Sequence, residues 1–334
     1  MLQPAPPDRP ARQQHSYSVS HNPEAQASQF AGWTLQYRQL SGGRFCGRSS
    51  ISRWSGISIH AEELNRRILQ RGRVPADSIA VGIPLTLQGH ARMCGKASSR
   101  DTLHVFSCHP DFEFTSPEYH LLVNLEISMP ALAPENLTLA RQLQTLLDSP
   151  ALPLQADAAQ QLRQLLCAAM QAGLPTAELP AAIRHLQQKQ REQQLLYGLI
   201  ETVSLQANPA RDLPRRERSW KILRQVEQLL ADPASCVLSV AELCVRLHLS
   251  RRTLQYVFEY AAGMSPVSYL RAIRLNHARQ ALLKGESVTY AATQWGFLHL
   301  SAFAHDYQQL FGELPSTTQK RLRLSRQLLH TASD

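Results

Sequence analysis

The chain has 334 residues, more than one ordinary domain needs and enough for about two, each with its own core. Its 43% apolar and 18% charged residues are typical of a soluble globular protein, and nothing in them requires a membrane. The formal net charge of +9 is uneven: residues 211–334 carry 17 basic and 10 acidic side chains, against 18 and 16 in residues 1–210. A positive C-terminal third suggests a polyanionic partner there.

Residues 1–28 are rich in Pro, Gln, Ser and Ala and lack the apolar run of a secretory signal, so they read as a disordered leader and the protein as cytoplasmic. Six scattered cysteines (Cys46, Cys94, Cys108, Cys167, Cys236, Cys244) with no C-x-x-C pair fit reduced thiols. From 33 to 128 come short β-like runs such as WTLQYRQL, GISIH, SIAVGIPLTL, TLHVF and YHLLVNLEI. Turn residues including Gly42, Gly43, Gly72, Pro75, Gly89 and Pro110 punctuate them at the spacing of an antiparallel sandwich or barrel.

From 134 to 205 the pattern becomes helical, as in DAAQQLRQLLCAAM and AAIRHLQQKQREQQLLYGLIETV. The second of these carries an apolar stripe of Ile183, Leu186, Leu195, Leu196, Leu199 and Ile200, which suits either the core or a second copy of the chain. ANPARDLPRRERS, 207–219, with two prolines and almost no apolar residues, reads as a linker before a C-terminal unit at 220–330.

That unit opens with Ser239 and Glu242 spaced as a capping box, followed by an apolar face of Val240, Leu243, Cys244 and Leu247. His248, Leu249 and Ser250 break the helix, and Ser250 is placed to cap a second one. Leu254, Val257, Phe258 and Ala261 then face inward, while Arg252, Gln255, Tyr256 and Glu259 face outward. The result is a helix-turn-helix over 239–262 whose outward residue types suit a DNA major groove. Ser265 and Pro266 start a helix that runs to Gly285, a rod of roughly 30 Å. A second helix-turn-helix follows over 287–312, with Ser287 as cap and Gly296 at the turn. Two such heads on one rod match successive major grooves about 34 Å apart.

Other chemistry fits less well. GHARMCGKAS, 89–98, has five residues between its glycines where a phosphate-binding loop needs four, and Ala97 stands where a Ser or Thr would bind magnesium. GISIH lacks the second glycine of a nucleophile elbow. His104, Cys108 and His109 are the best metal candidates, but an extended strand turns His109 away from the other two. His299, His305 and Asp306 in QWGFLHLSAFAHDYQQLFG look like a cluster, yet His299 falls at a turn and Asp306 off the outward stripe of Ser301, His305 and Gln308. Trp33, Tyr37, Phe45, Trp54 and Phe106 suit an apolar pocket or the core of a β domain.

Residues 239–319 resemble the DNA-binding domain of AraC/XylS-type transcription regulators, through LSRRTLQYVF, GMSPVSYLRAIRLNHARQALL and the WGF…F…Y…FG..PS pattern. QYRQLSGGRFCG and QWGFLHLSAFAHDYQQLF are most similar to the ethanolamine-operon subgroup. The resemblance implies an α+β fold, with a β-sandwich or barrel-like effector-sensing and dimerising domain over 29–206 and two helix-turn-helix units joined by a long helix. It implies an activator of transcription in the cytoplasm, not an enzyme, with promoter DNA, RNA polymerase and a second copy as partners. No cofactor or metal is implied beyond a small-molecule effector, an amine or amino alcohol. Base-reading positions carry over to Arg252, Gln255 and Tyr256 in the first unit and to Ser301, Ala302 and His305 in the second. Ser250 and Arg251 fall near phosphates. The second reading helix holds no Arg or Lys, so its base readout is thin, and Lys320, Arg321, Arg323 and Arg326 follow it. The alternative is a ligand- or metal-binding β-domain enzyme with an accessory helical domain.

Overall fold

The computed structural model describes residues 14–54, 56–108, 111–132, 143–144, 146–147, 149–171, 181–204, 214–232 and 238–321. The N-terminal half is two antiparallel sheets face to face, and the C-terminal part is helical.

Strands β1 (Gln14–Ser20), β3 (Gly47–Arg53), β4 (Ile57–Leu64), β11 (Tyr119–Ser128), β6 (Ser78–Gln88), β9 (Thr102–Ser107) and β12 (Ala151–Pro153) lie in that order in a seven-stranded sheet. β2 (Thr34–Gln39), β5 (Ile68–Arg73), β10 (Phe112–Thr115), β7 (Ala91–Met93) and β8 (Lys96–Ser98) form the five-stranded sheet opposite. Because side chains alternate along a strand, β4 and β11 each present two different faces. Ile57, Ile59, Val123, Leu125 and Ile127 point outward under two helices, α2 (Ala156–Gln171) and α3 (Ala181–Ser204), whose Leu162, Leu166, Leu195, Leu196 and Leu199 complete that core.

The inner faces hold a polar set among aromatics. Buried Glu62 accepts from Gln26, Tyr37 and Gln70, and burial raises its pKa to about 7 against those three donors. Trp33 and His60 both reach Glu126. His104 meets Ser98 at 2.5 Å and packs against Phe106 and Phe114.

Three expectations change, and two open readings are narrowed. Residues 14–20 are a strand, paired from Gln14↔Arg53 to Ser20↔Gly47, and Pro23–Ala27 is a helix, α1, capped by Asn22, so the leader cannot extend to 28. β1 was illegible because its apolar residues point to solvent, with Tyr17 63% exposed. A strand, β12, lies inside the expected helical stretch and pairs with β9. Helix α4 (Pro214–Leu230) starts within the expected linker at a proline suited to the first helical turn, and residues 205–213 lie outside the described residues. Trp54 packs outward with the helices rather than with Trp33 and Phe106. On α3, Leu195, Leu196 and Leu199 are buried within the chain, whereas Ile183 and Leu186 stay exposed.

The two halves dock closely. Gln39 donates its backbone N–H to Asn276 Oδ1 at 3.0 Å, and Asn276 returns a bond to the Gln39 carbonyl at 2.8 Å. Leu69 of β5 and Leu40, which follows β2, join the C-terminal core. Arg71 holds Glu113 and reaches Glu227 of α4, which also accepts from Tyr269. Arg279 is 2% exposed and ties Glu24 of α1 to Glu313 and Tyr307.

Candidate nucleic-acid interface

After α4 the described residues form α5 (Val240–Arg246), α6 (Arg251–Ala261), α7 (Pro266–Lys284), α8 (Val288–Gln294) and α9 (Leu300–Phe311), with further helical backbone over 315–321. Each short pair is built by the same local chemistry. Ser239 and Ser287 cap α5 and α8, accepting from the backbone N–H of Glu242 and Tyr290, and Glu242 completes the capping box.

Both turns then reverse through a left-handed residue, His248 at φ 52° and Gly296 at φ 78°. Both close with a bond back five residues, Leu249 N–H to the Cys244 carbonyl and Phe297 N–H to the Ala292 carbonyl, each 2.9 Å. The internal repeat is therefore one of hydrogen bonding, not only of residue types. α6 is capped by Ser250, while His299 gives α9 no side-chain cap.

Between the pairs lies α7, whose 19 residues span about 28 Å. It is buried on most sides, by Tyr269, Leu270, Ile273, Leu275, Ala278 and Leu282 among others, and so acts as the core of the unit. His277 of this helix stacks on Trp295 at 4.2 Å, and Phe258 meets Tyr269 edge-on at 5.2 Å, fixing each pair to the rod.

The inward faces of α6 and α9 are Leu254, Val257, Phe258 and Ala261 on the first, and Phe303, Tyr307, Leu310 and Phe311 on the second. What they leave outward on α6 is Arg251, Arg252, Tyr256 and Glu259, with Gln255 half-buried. Arg252 donates to Tyr256 Oη at 3.2 Å, and Gln255 donates to Glu259 at 2.6 Å, so both donors are held along the helix surface. The Ser250 hydroxyl accepts from Thr253 N–H, which commits one lone pair to the cap. On α9, Ser301, Ala302 and His305 are all exposed, with Gln308 and Gln309 beyond.

Asp306 lies 3.5 Å from Arg271 in an ion pair, which takes it away from His299 and His305. His104 is buried against Ser98 on β9, and His109 lies outside the described residues. Arg321 pairs with Glu313 and so supports the end of α9, whereas Arg323 and Arg326 lie outside the described residues. One feature escaped the sequence reading: Leu298 is 84% exposed and Leu300 43%, directly before Ser301. An apolar residue type carries no local signal of exposure, so the sequence does not mark them.

Residues 243–321 match the family model of a helix-turn-helix domain. The chain is 38% identical over 99 residues to a probable thc operon regulatory protein of Rhodococcus erythropolis, covering 28% of this chain and 30% of that protein. It is 34% identical over 103 residues to the XylDLEGF operon transcriptional activator of Pseudomonas putida, covering 30% and 32%. The matched segment thus spans about a third of these curated relatives. A solved structure of a probable AraC family transcriptional regulator from Rhodopseudomonas palustris is 34% identical, covering 30% of this chain and 97% of that one, with a TM-score of 0.28. Among the described residues, no helix is long and apolar enough to cross a membrane.

Proposed function

We propose that this chain, which through its helix-turn-helix domain belongs to the AraC/XylS family, is a DNA-binding transcription regulator that activates a promoter in response to a small effector. The observation that carries the reading is the pair of like-built helix-turn-helix heads fixed on one buried rod, each with an outward polar face. The domain and the relatives are those of operon regulators, not of enzymes.

In this reading α6 enters the major groove with Arg252, Gln255 and Tyr256 against base edges, an arginine suiting guanine and a glutamine adenine. Ser250 and Arg251 lie by the phosphates. α9 follows in the next groove with Ser301, Ala302 and His305. Ala302 and the exposed Leu298 and Leu300 offer methyl groups suited to thymine rather than charge.

The β domain serves as sensor. The ethanolamine-type resemblance makes an amine or amino alcohol the first effector to test, and the carboxylates Glu62 and Glu126 among inward aromatics are the groups that would receive it. Exposed Ile183, Leu186 and Tyr197 on α3 supply an apolar surface for a second copy. RNA polymerase completes the set of partners.

Genome-wide mapping of binding sites tests the whole reading. Enrichment at a few promoters is expected, and the adjacent operon names the metabolite. A mobility shift on the chain's own upstream DNA is the cheaper first measurement, and equal affinity for that DNA and for random duplex at physiological salt would overturn sequence-specific regulation.

A further inference from the structure

A cleft of about 350 Å³ opens between the small sheet and the first reading helix, lined by Arg67, His90, Arg92 and Thr115 on one side and by Tyr256, Glu259, Tyr260, Ala261 and Gly263 on the other. From its unbalanced charge and unmet donors, we infer that this cleft binds a small anion, the carboxylate or phosphate group of a metabolite, held between the Arg67 and Arg92 guanidinium groups.

The two arginines come from the strands on either side of β10 in the small sheet. Arg92 sits on β7, paired in register with Thr115 of β10, while Arg67 immediately precedes β5. Each spends only part of its donor capacity on the protein. Arg67 gives one N–H to the Gly263 carbonyl at 3.1 Å, and its buried Nε meets no acceptor among the described residues. Arg92 gives one N–H to the Gly95 carbonyl at 3.3 Å and lays its guanidinium 3.8 Å from the centre of the Tyr260 ring. The Tyr260 hydroxyl is itself buried and without a partner among the described residues. A guanidinium has five N–H groups and matches a carboxylate or phosphate in a planar, bidentate fashion.

The lining sets two guanidinium groups against one carboxylate, Glu259, which accepts from Gln255 and keeps its charge, so the cleft stays net positive. Glu118 is the acidic group acting on Arg67, but it lies 3.5 Å from Arg66 in an ion pair of its own. Burial holds the Arg67 pKa below its usual value; the attraction of Glu118 opposes this, and the charge of Arg92 adds a smaller lowering. An anion placed between the two guanidinium groups supplies the missing acceptors.

The rest of the cleft shapes the ligand. The Tyr256 and Tyr260 side chains and Ala261 offer apolar surface for a small body, and the volume is that of a small-molecule site. A protonated amine carries the wrong charge for this cleft, so its ligand is distinct from the effector suggested for the sandwich. The inference does not rest on the DNA-binding reading, because stabilisation by phosphate is read without DNA.

Thermal unfolding of the full chain, followed in sodium phosphate and in sodium chloride of equal ionic strength, tests it. Phosphate is expected to raise the melting temperature saturably, because a ligand that binds only the folded state stabilises it in proportion to occupancy. Arg92→Gln, which removes one charge-assisted contact, is expected to weaken phosphate about tenfold. If Arg92→Gln does not fold, His90→Glu on the exposed rim takes its place and is expected to abolish the shift by like-charge repulsion. Arg252→Gln, on the outward face of α6, is expected to leave the shift intact. Absence of a phosphate effect, or a shift retained unchanged in the cleft variants, overturns the inference. So does a loss of DNA affinity in Arg92→Gln without any phosphate effect, which would give the cleft to the DNA backbone.

Discussion

Arg252 and Gln255 stand on one exposed face of α6 and are held there by Tyr256 and Glu259. Each alanine replacement at these two positions is expected to cost about 1–3 kcal/mol on the cognate promoter and much less on random DNA. Fluorescence anisotropy on both duplexes reads the difference, and equal losses would remove these residues from base reading. His305→Ala is expected to lose less than Arg252→Ala, since α9 has no basic residue to share the groove. A second residue-scale prediction concerns acid. Burial lowers the pKa of His104, with help from His120, and that of His120, each to about 3, so both are neutral in the folded chain. Unfolded, they titrate near 6.5, so the unfolded state binds more protons between about pH 6.5 and 3 and stability falls as pH drops through that window. Burial also lowers His277 to about 4, while Glu62 and Glu227, raised to about 7 and about 8, act in the opposite direction above their unfolded values, two groups against three. His120 has neither ring nitrogen bonded among the described residues, so His120→Phe is expected to flatten the acid limb in circular dichroism from pH 3 to 7. An unchanged acid midpoint would show that its titration is not coupled to folding.

At the scale of elements, the C-terminal unit was almost fully legible, and the β domain only in part. Caps at Ser239, Ser250, Ser265 and Ser287, the Gly285 and Gly312 stops and the apolar spacing within each helix are local signals, and the helices fall within a residue or two of them. Strands β10 and β12 are four and three residues long and exist only because distant partners offer them hydrogen bonds. The end of α9 joins the two kinds of information. Gly312 supplies the left-handed stop at φ 69°, and from the other domain Gly43 N–H donates to the carbonyls of Gln309 at 3.0 Å and Leu310 at 3.2 Å. Gly42 beside it is fixed by contact, because a Cβ there would stand 2.9 Å from the Gln309 carbonyl oxygen. Gly42→Ala is therefore expected to push the loop off α9 and lower the melting temperature by several degrees, with a loss of about 1–2 kcal/mol. An unaltered midpoint would mean that the loop does not cap the helix in solution.

For the whole molecule, the positive charge of the C-terminal part predicts DNA binding that weakens steeply with salt, the logarithm of affinity falling linearly with the logarithm of salt concentration. A flat salt response of the full chain would contradict phosphate contacts altogether. The sequence by itself determined the two heads, their rod and their outward faces, because caps, turn residues and the 3.6-residue period act between neighbours in the chain. Only the tertiary structure decided how the β half meets the helical half. Gln39 with Asn276, Arg71 with Glu227, Arg279 with Glu24, and the Arg67–Arg92 cleft each join residues more than 20 apart in the chain, most of them from different domains. No local pattern encodes such pairs, since their energies arise only when folding removes both partners from water together.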